Sequence, residues 1–157
     1  PAFSMQRMVQ DYSRDLYIPA VVHGQEFAAN GYKVAREASE WKGKVRFNWQ
    51  HIHLEANGPK DGKLAVGEPV EVTARIRLGH LKPSDVAVEI THGREVAGVL
   101  TDFETLPMDC VDEADGALVY RGTFVPKSSG SYGYGVRIVP QDAHMLSKHE
   151  MALIRWA

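Results

Sequence analysis

Val70-Glu71-Val72-Thr73-Ala74-Arg75-Ile76-Arg77-Leu78 decides the fold of this chain. Val70, Val72, Ala74, Ile76 and Leu78 fall on one side of an extended backbone, and Glu71, Thr73, Arg75 and Arg77 fall on the other. Successive side chains of a strand point to opposite faces, so the run predicts a strand with one buried and one solvated side. Downstream, Leu81-Lys82-Pro83-Ser84 makes a corner before a strand over Val86 to Thr91. Val96 to Glu104, Leu118 to Val125, Tyr132 to Val139 and Met151 to Trp156 read as further strands. Asp109 to Gly116, acidic and ended by glycine, reads as a loop. Upstream, Trp49 to Leu54 predicts a first strand, followed by the turn-rich Asn57-Gly58-Pro59-Lys60-Asp61-Gly62. Seven short strands separated by turn signals predict an immunoglobulin-like antiparallel β-sandwich.

Before Asn48 the rhythm is helical. Met5, Met8, Val9, Tyr12 and Leu16 recur at offsets of three, four and seven and form one apolar stripe. Ser4 can cap that helix. Pro19 ends or kinks it, because proline lacks an amide hydrogen and crowds the preceding turn. His23-Gly24 is the expected break before a second helix over residues 25 to 46. That helix carries Phe27, Val34, Ala38, Trp41 and Val45 on one face, with Gly31 weakening its middle. The predicted chain is therefore mainly β with an α-helical N-terminal part: a helical segment over 1–47 and a sandwich over 48–157.

Composition narrows the function. The 157 residues suit one domain with an appendage, and 44% hydrophobic content is enough for a real core. Eighteen basic and twenty acidic side chains give a net charge of −2, which argues against nucleic acid and gives no reason to expect a membrane partner. No apolar run is long enough to span a bilayer, and the start lacks the pattern of a secretory signal. Cys110, the single cysteine, excludes an internal disulfide and fits a cytoplasmic location. Pro1 is not an initiator methionine, and the opening residues read as the interior of a longer protein.

Several residues could carry chemistry, each against a plainer reading. In Tyr132-Gly133-Tyr134-Gly135 the glycines could leave tyrosine faces open to stack on a sugar; alternatively the tyrosines share an inward strand face and the glycines permit close packing. Trp49, with Trp41 and Trp156, could form a carbohydrate platform; alternatively Trp41 and Trp49 join the helices to the sandwich and Trp156 covers a sheet edge. His51 and His53 share a face if they lie on a strand, but a zinc site needs a third and usually a fourth ligand. Asp109, Asp112, Glu113 and Asp115 lack the spacing of a dedicated calcium loop, so no metal is expected. Cys110 has acidic neighbours that give a thiolate no support. Ser128-Ser129-Gly130-Ser131 reads as a hairpin turn and not as a nucleophile elbow.

Four separated blocks resemble the C-terminal end of bacterial α-glucan (glycogen or starch) phosphorylases. They are Arg7-Met8-Val9 with Tyr12 and Tyr17-Ile18-Pro19-Ala20; Trp41-Lys42 with Trp49; Leu78-Gly79, Leu81, Pro83, Asp85-Val86 and Val88-Glu89; and Ser129-Gly130, Tyr132-Gly133-Tyr134 and Val136-Arg137, closing with Trp156-Ala157. The resemblance implies a cytoplasmic parent enzyme that uses pyridoxal 5′-phosphate to cleave α-1,4-glucan with inorganic phosphate, releasing glucose 1-phosphate. It also implies that the leading helix belongs to the catalytic body and that the sandwich is an appended domain. None of Lys33, Lys42, Lys44, Lys60, Lys63, Lys82, Lys127 or Lys148 has the Gly- and Ser-rich setting of the family's cofactor lysine. No catalytic or cofactor-binding residue is therefore carried over, and the fragment alone is expected to be inert.

The expected partners are the missing catalytic domains and, through Tyr132, Tyr134 and Trp49, an α-glucan. Without those domains the Met5/Met8/Tyr12/Leu16 stripe is expected to drive self-association as a dimer. The rival reading is a free-standing β-sandwich interaction module unrelated to glucan metabolism.

Overall fold

The computed structural model describes residues 5–59, 66–127 and 129–157. The expected cap at Ser4, the turn residues Lys60, Asp61 and Gly62, and Ser128 lie outside them. The chain divides into two compact units, Pro1–Gly43 and Lys44–Ala157.

The first unit is helical. Helix α1 (Met5–Tyr12) passes through one wider, π-type turn at Ser13–Tyr17 into α2 (Ile18–Asn48). Pro19 does not end the helix. It stands at the second residue of α2, directly after that wider turn, in which the Ile18 amide bonds to the Ser13 carbonyl five residues back. The wider turn relieves the ring's clash with the preceding carbonyls, so the helix runs on without the proline amide. The expected break at His23-Gly24 is likewise absent. The break lies at Ala29–Tyr32, where Ala29 turns extended (ψ 155°) and Asn30, Gly31 and Tyr32 take φ of 50°, 63° and 63°. The Arg36 guanidinium donates to the Gly31 carbonyl at 2.6 Å, satisfying a backbone acceptor at the break. Met5, Met8, Val9, Tyr12 and Leu16 are all exposed, and the apolar row continues through Ile18, Val21 and Val22.

The second unit opens with the last turn of α2. Val45, Trp49 and Ile52 are buried there. Trp49–His51 forms a 3-10 turn and not the start of a strand, so the first strand is displaced to β1 (His53–Asn57). Then follow β2 (Val70–Arg77), β3 (Val86–Val96), β4 (Val99–Pro107), β5 (Asp109–Ala114), β6 (Ala117–Phe124), β7 (Tyr132–Pro140) and the short β8 (Arg155–Trp156). β5 is the segment expected as a loop. All pairings are antiparallel, in two sheets ordered β1-β2-β6-β5 and β4-β3-β7-β8. With β1, β2 and β3 as strands A, B and C, this is the A-B-E-D and C′-C-F-G arrangement of an immunoglobulin-like sandwich.

The core lies between the sheets. Val70, Val72, Ala74 and Ile76 on β2 are buried with Tyr120 and Phe124 on β6 and with Val86, Val88 and Ile90 on β3. Gly122 on β6 keeps the sheets close: a β-carbon there would stand 2.7 Å from Ile90 Cδ1 and 2.9 Å from Met108 Cγ. β3 is buried on both faces from Val88 to Gly93. Glu89 on its outer face is covered by Lys148 from the segment after β7, and Trp156 lies over Arg137 on the neighbouring β7.

Candidate functional site

The sandwich end where β3, β6 and β7 meet brings together Tyr132 and Tyr134 but not Trp49. Tyr132 and Tyr134 project inward from β7 and lie against Phe124, ring centroids 6.1 and 5.4 Å away. The Tyr132 hydroxyl meets His92 Nδ1 at 2.8 Å, and the Tyr134 hydroxyl donates to the Pro59 carbonyl at 3.1 Å. Burial pushes both phenols up from their ordinary value. Both rings are half-buried. Trp49 is buried in the turn ahead of β1, and Arg155 donates to its carbonyl at 3.4 Å.

The intervening glycines serve the opposite face of β7. A β-carbon on Gly133 would stand 2.8 Å from Leu100 Cδ2, and one on Gly135 would stand 3.2 Å from the Trp156 ring. Strand alternation explains the pattern: tyrosines face the core, and glycines make room on the outer face for Leu100 and Trp156.

That outer face carries a charge cluster that sequence reasoning missed. Glu89 on β3 and Arg137 on β7 are register partners. The guanidinium donates to one carboxylate oxygen at 2.8 and 2.9 Å, and Lys148 donates to the other at 2.6 Å. Trp156 lies over the same guanidinium, 5.7 Å from ring centroid to Cζ. Burial pushes the Glu89 carboxyl up, but hydrogen bonds from Lys148 and Arg137 outweigh it and hold the group below its ordinary value. Asp85, nearly buried, accepts from the Lys82 amide and from Lys44 Nζ, each at 2.7 Å. The available signal was the placing of Glu89 and Arg137 within strand patterns, where a charge needs a partner.

The remaining candidates are scattered. His51 sits in the 3-10 turn while His53 opens β1, so the two do not share a strand face. Among the described residues no three His, Cys, Asp or Glu side chains are placed to share a metal ion. Asp109, Asp112 and Glu113 lie on β5; Asp115 follows in the turn and approaches Arg75 at 3.5 Å. Cys110 is exposed, its sulfur 3.9 Å from the Asp112 carbonyl. A concavity of about 280 Å³ on the outer side of β1 and β2 is lined by His53, Glu55, Arg75 and Arg77. No described helix is long and apolar enough to cross a membrane.

The comparisons with known proteins agree with this architecture. A family model described as the glycogen phosphorylase C-terminal domain matches residues 49–157, the span holding all eight strands. Glycogen phosphorylase from Mycobacterium tuberculosis is 31% identical over 162 aligned residues, which cover 100% of this chain and 19% of the relative. Maltodextrin phosphorylase from Thermococcus litoralis is 25% identical over 99% of this chain and 18% of the relative. The chain thus spans less than a fifth of the length of these curated relatives. It belongs to the glycogen phosphorylase C-terminal domain family.

Proposed function

We propose that this chain is the non-catalytic C-terminal region of an α-glucan phosphorylase-like enzyme, and that its sandwich is a scaffold. In this reading residues 1–47 are the end of the catalytic body and residues 48–157 the appended domain. The parent works in the cytoplasm, converting α-1,4-glucan and phosphate to glucose 1-phosphate with pyridoxal 5′-phosphate. Among the described residues, Lys44, Lys127 and Lys148 do not fit that cofactor. A Schiff-base lysine needs a neutral amine, whereas Lys44, Lys127 and Lys148 each hold a carboxylate. No step of the reaction is assigned to them.

One observation carries the scaffold reading. The residues that resemble the family bond inward or to one another: Asp85 with Lys44, Glu89 with Arg137, Tyr132 with His92, Tyr134 with Phe124, Trp156 with Arg137. The apolar row of the leading helix, Met5 to Val22, is exposed and suits the missing catalytic domains or a second copy.

The half-buried rings of Tyr132 and Tyr134 support a second reading, an accessory glucan site acting through local substrate concentration. Removing residues 49–157 from the longer enzyme separates the two. A scaffold predicts altered sedimentation or a lower melting temperature with an unchanged KM for long glucans. An unchanged assembly with a raised KM for long but not short glucans supports the accessory site instead.

A further inference from the structure

His92 is 1% exposed in the core of the sandwich. It projects from β3 between the sheets, stacked on Phe124 at 4.8 Å and tilted against Tyr132 at 5.9 Å. Its Nδ1 is bonded to the Tyr132 hydroxyl, while its Nε2 has no hydrogen-bond partner among the described atoms. Either tautomer leaves one nitrogen unmet. With the proton on Nδ1, the Nε2 lone pair is bare; with it on Nε2, the N–H has no acceptor.

The charged and titratable groups around the ring offer little to a cation. Glu104 on β4 is its register partner but is bonded to Lys127, which follows β6. Their effects on the ring are opposite in sign. From β7 come Tyr132 and Tyr134, both neutral phenols held above their ordinary value. From β6 comes only the face of Phe124. Burial pushes the imidazole below its ordinary value of 6.5, with Glu104 pulling it up and Lys127 down.

We propose that His92 is an acid-sensitive lock on this end of the sandwich. Neutral, it ties β7 to β3 through Tyr132 and supports Phe124. Protonated, it places a charge and an additional N–H in a space that cannot answer them, and the β3–β7 layer parts from β6. The tyrosine rings of Tyr132 and Tyr134 then leave Phe124. Carboxylates pull in the same pH direction, so the test needs the variant as well as the native chain.

The native chain and His92→Leu are unfolded in urea at pH 7.5 and 5.5, and the His92 ring proton of the folded native chain is titrated by NMR. A ring with a lowered pKa binds fewer protons folded than unfolded, so native stability falls as pH drops below about 6.5. Between pH 7.5 and 5.5 the folded-to-unfolded ratio should drop by up to about tenfold. His92→Leu should lack that part of the slope, and the His92 resonance should stay neutral until the sandwich opens. Equal slopes in the two chains would overturn the proposal. If His92→Leu fails to fold, the resonance decides alone: titration near 6.5 with the Tyr132 contact intact overturns the lock.

Discussion

Glu89 and Arg137 face each other in register across β3 and β7 as a buried ion pair, on the side of the sheet away from the main core. Charges at that depth persist only when paired and hydrogen-bonded, and both oxygens of Glu89 are engaged. Arg137→Met leaves one oxygen of the buried carboxylate without its donor while Lys148 still holds the other, and should cost about 1–3 kcal/mol by urea denaturation. Adding Glu89→Leu should recover most of that loss, because the Lys148 side chain is 42% exposed and can turn to water. A double variant no better than the single would contradict the pairing.

The same cluster sets an acid limit. The Glu89 carboxyl is held below its ordinary value of 4.5, so the folded chain binds fewer protons than the unfolded one in the window beneath it. Its contribution is complete above about pH 4.5 and is lost as pH falls through the folded value. Thermal melts between pH 5.5 and 3.5 should show a steeper fall for the native chain than for Glu89→Leu/Arg137→Met.

Two glycines should respond in opposite senses. A β-carbon on Gly93 would lie 2.8 Å from both Phe103 Cα and the Thr101 carbonyl, so the backbone of β4 has to move. Gly93→Ala is expected to destabilise by about 1–3 kcal/mol. Gly43 lies inside α2 with nothing within 4 Å of its β-carbon position. Gly43→Ala should stabilise by about 0.5–1 kcal/mol, since alanine has less backbone freedom to lose. Denaturation midpoints of the two variants against the native chain check both.

The leading helix should make the chain self-associate. Met8 and Leu16 are 49% and 56% exposed on its apolar row. Sedimentation velocity should show a dimer for the native chain and a monomer for Met8→Glu/Leu16→Glu, with the sandwich's near-UV circular dichroism unchanged. A concentration-independent native monomer would remove this account of the helix.

The sandwich was legible wherever one strand face is buried. β2 alternates from Val70 to Ile76 as its sequence does, and β3 and β7 begin where their apolar patterns begin. β5 was hidden because Asp109 to Ala114 is an exposed edge strand, kept polar where an unpaired edge would otherwise invite aggregation. Trp49 misled the placing of β1, since its ring is buried from a helical turn and not from a strand. The helix break was misplaced because Gly24 is tolerated inside a helix, while the left-handed run falls on Asn30-Gly31-Tyr32. Within the candidate site the inward tyrosines followed from strand alternation. The His92–Tyr132 bond and the Glu89–Arg137 pair did not, because cross-strand partners 40 and 48 residues apart depend on register.

The central claim is that this sandwich directs its aromatic and charged side chains to its own assembly and not to a sugar. Calorimetric titration of the chain with maltoheptaose at millimolar concentration tests it most directly. The account predicts no heat beyond dilution and unmoved NMR signals from Tyr132, Tyr134 and Trp49. Saturable heat that Tyr134→Ala abolishes, in a variant still folded, would contradict it.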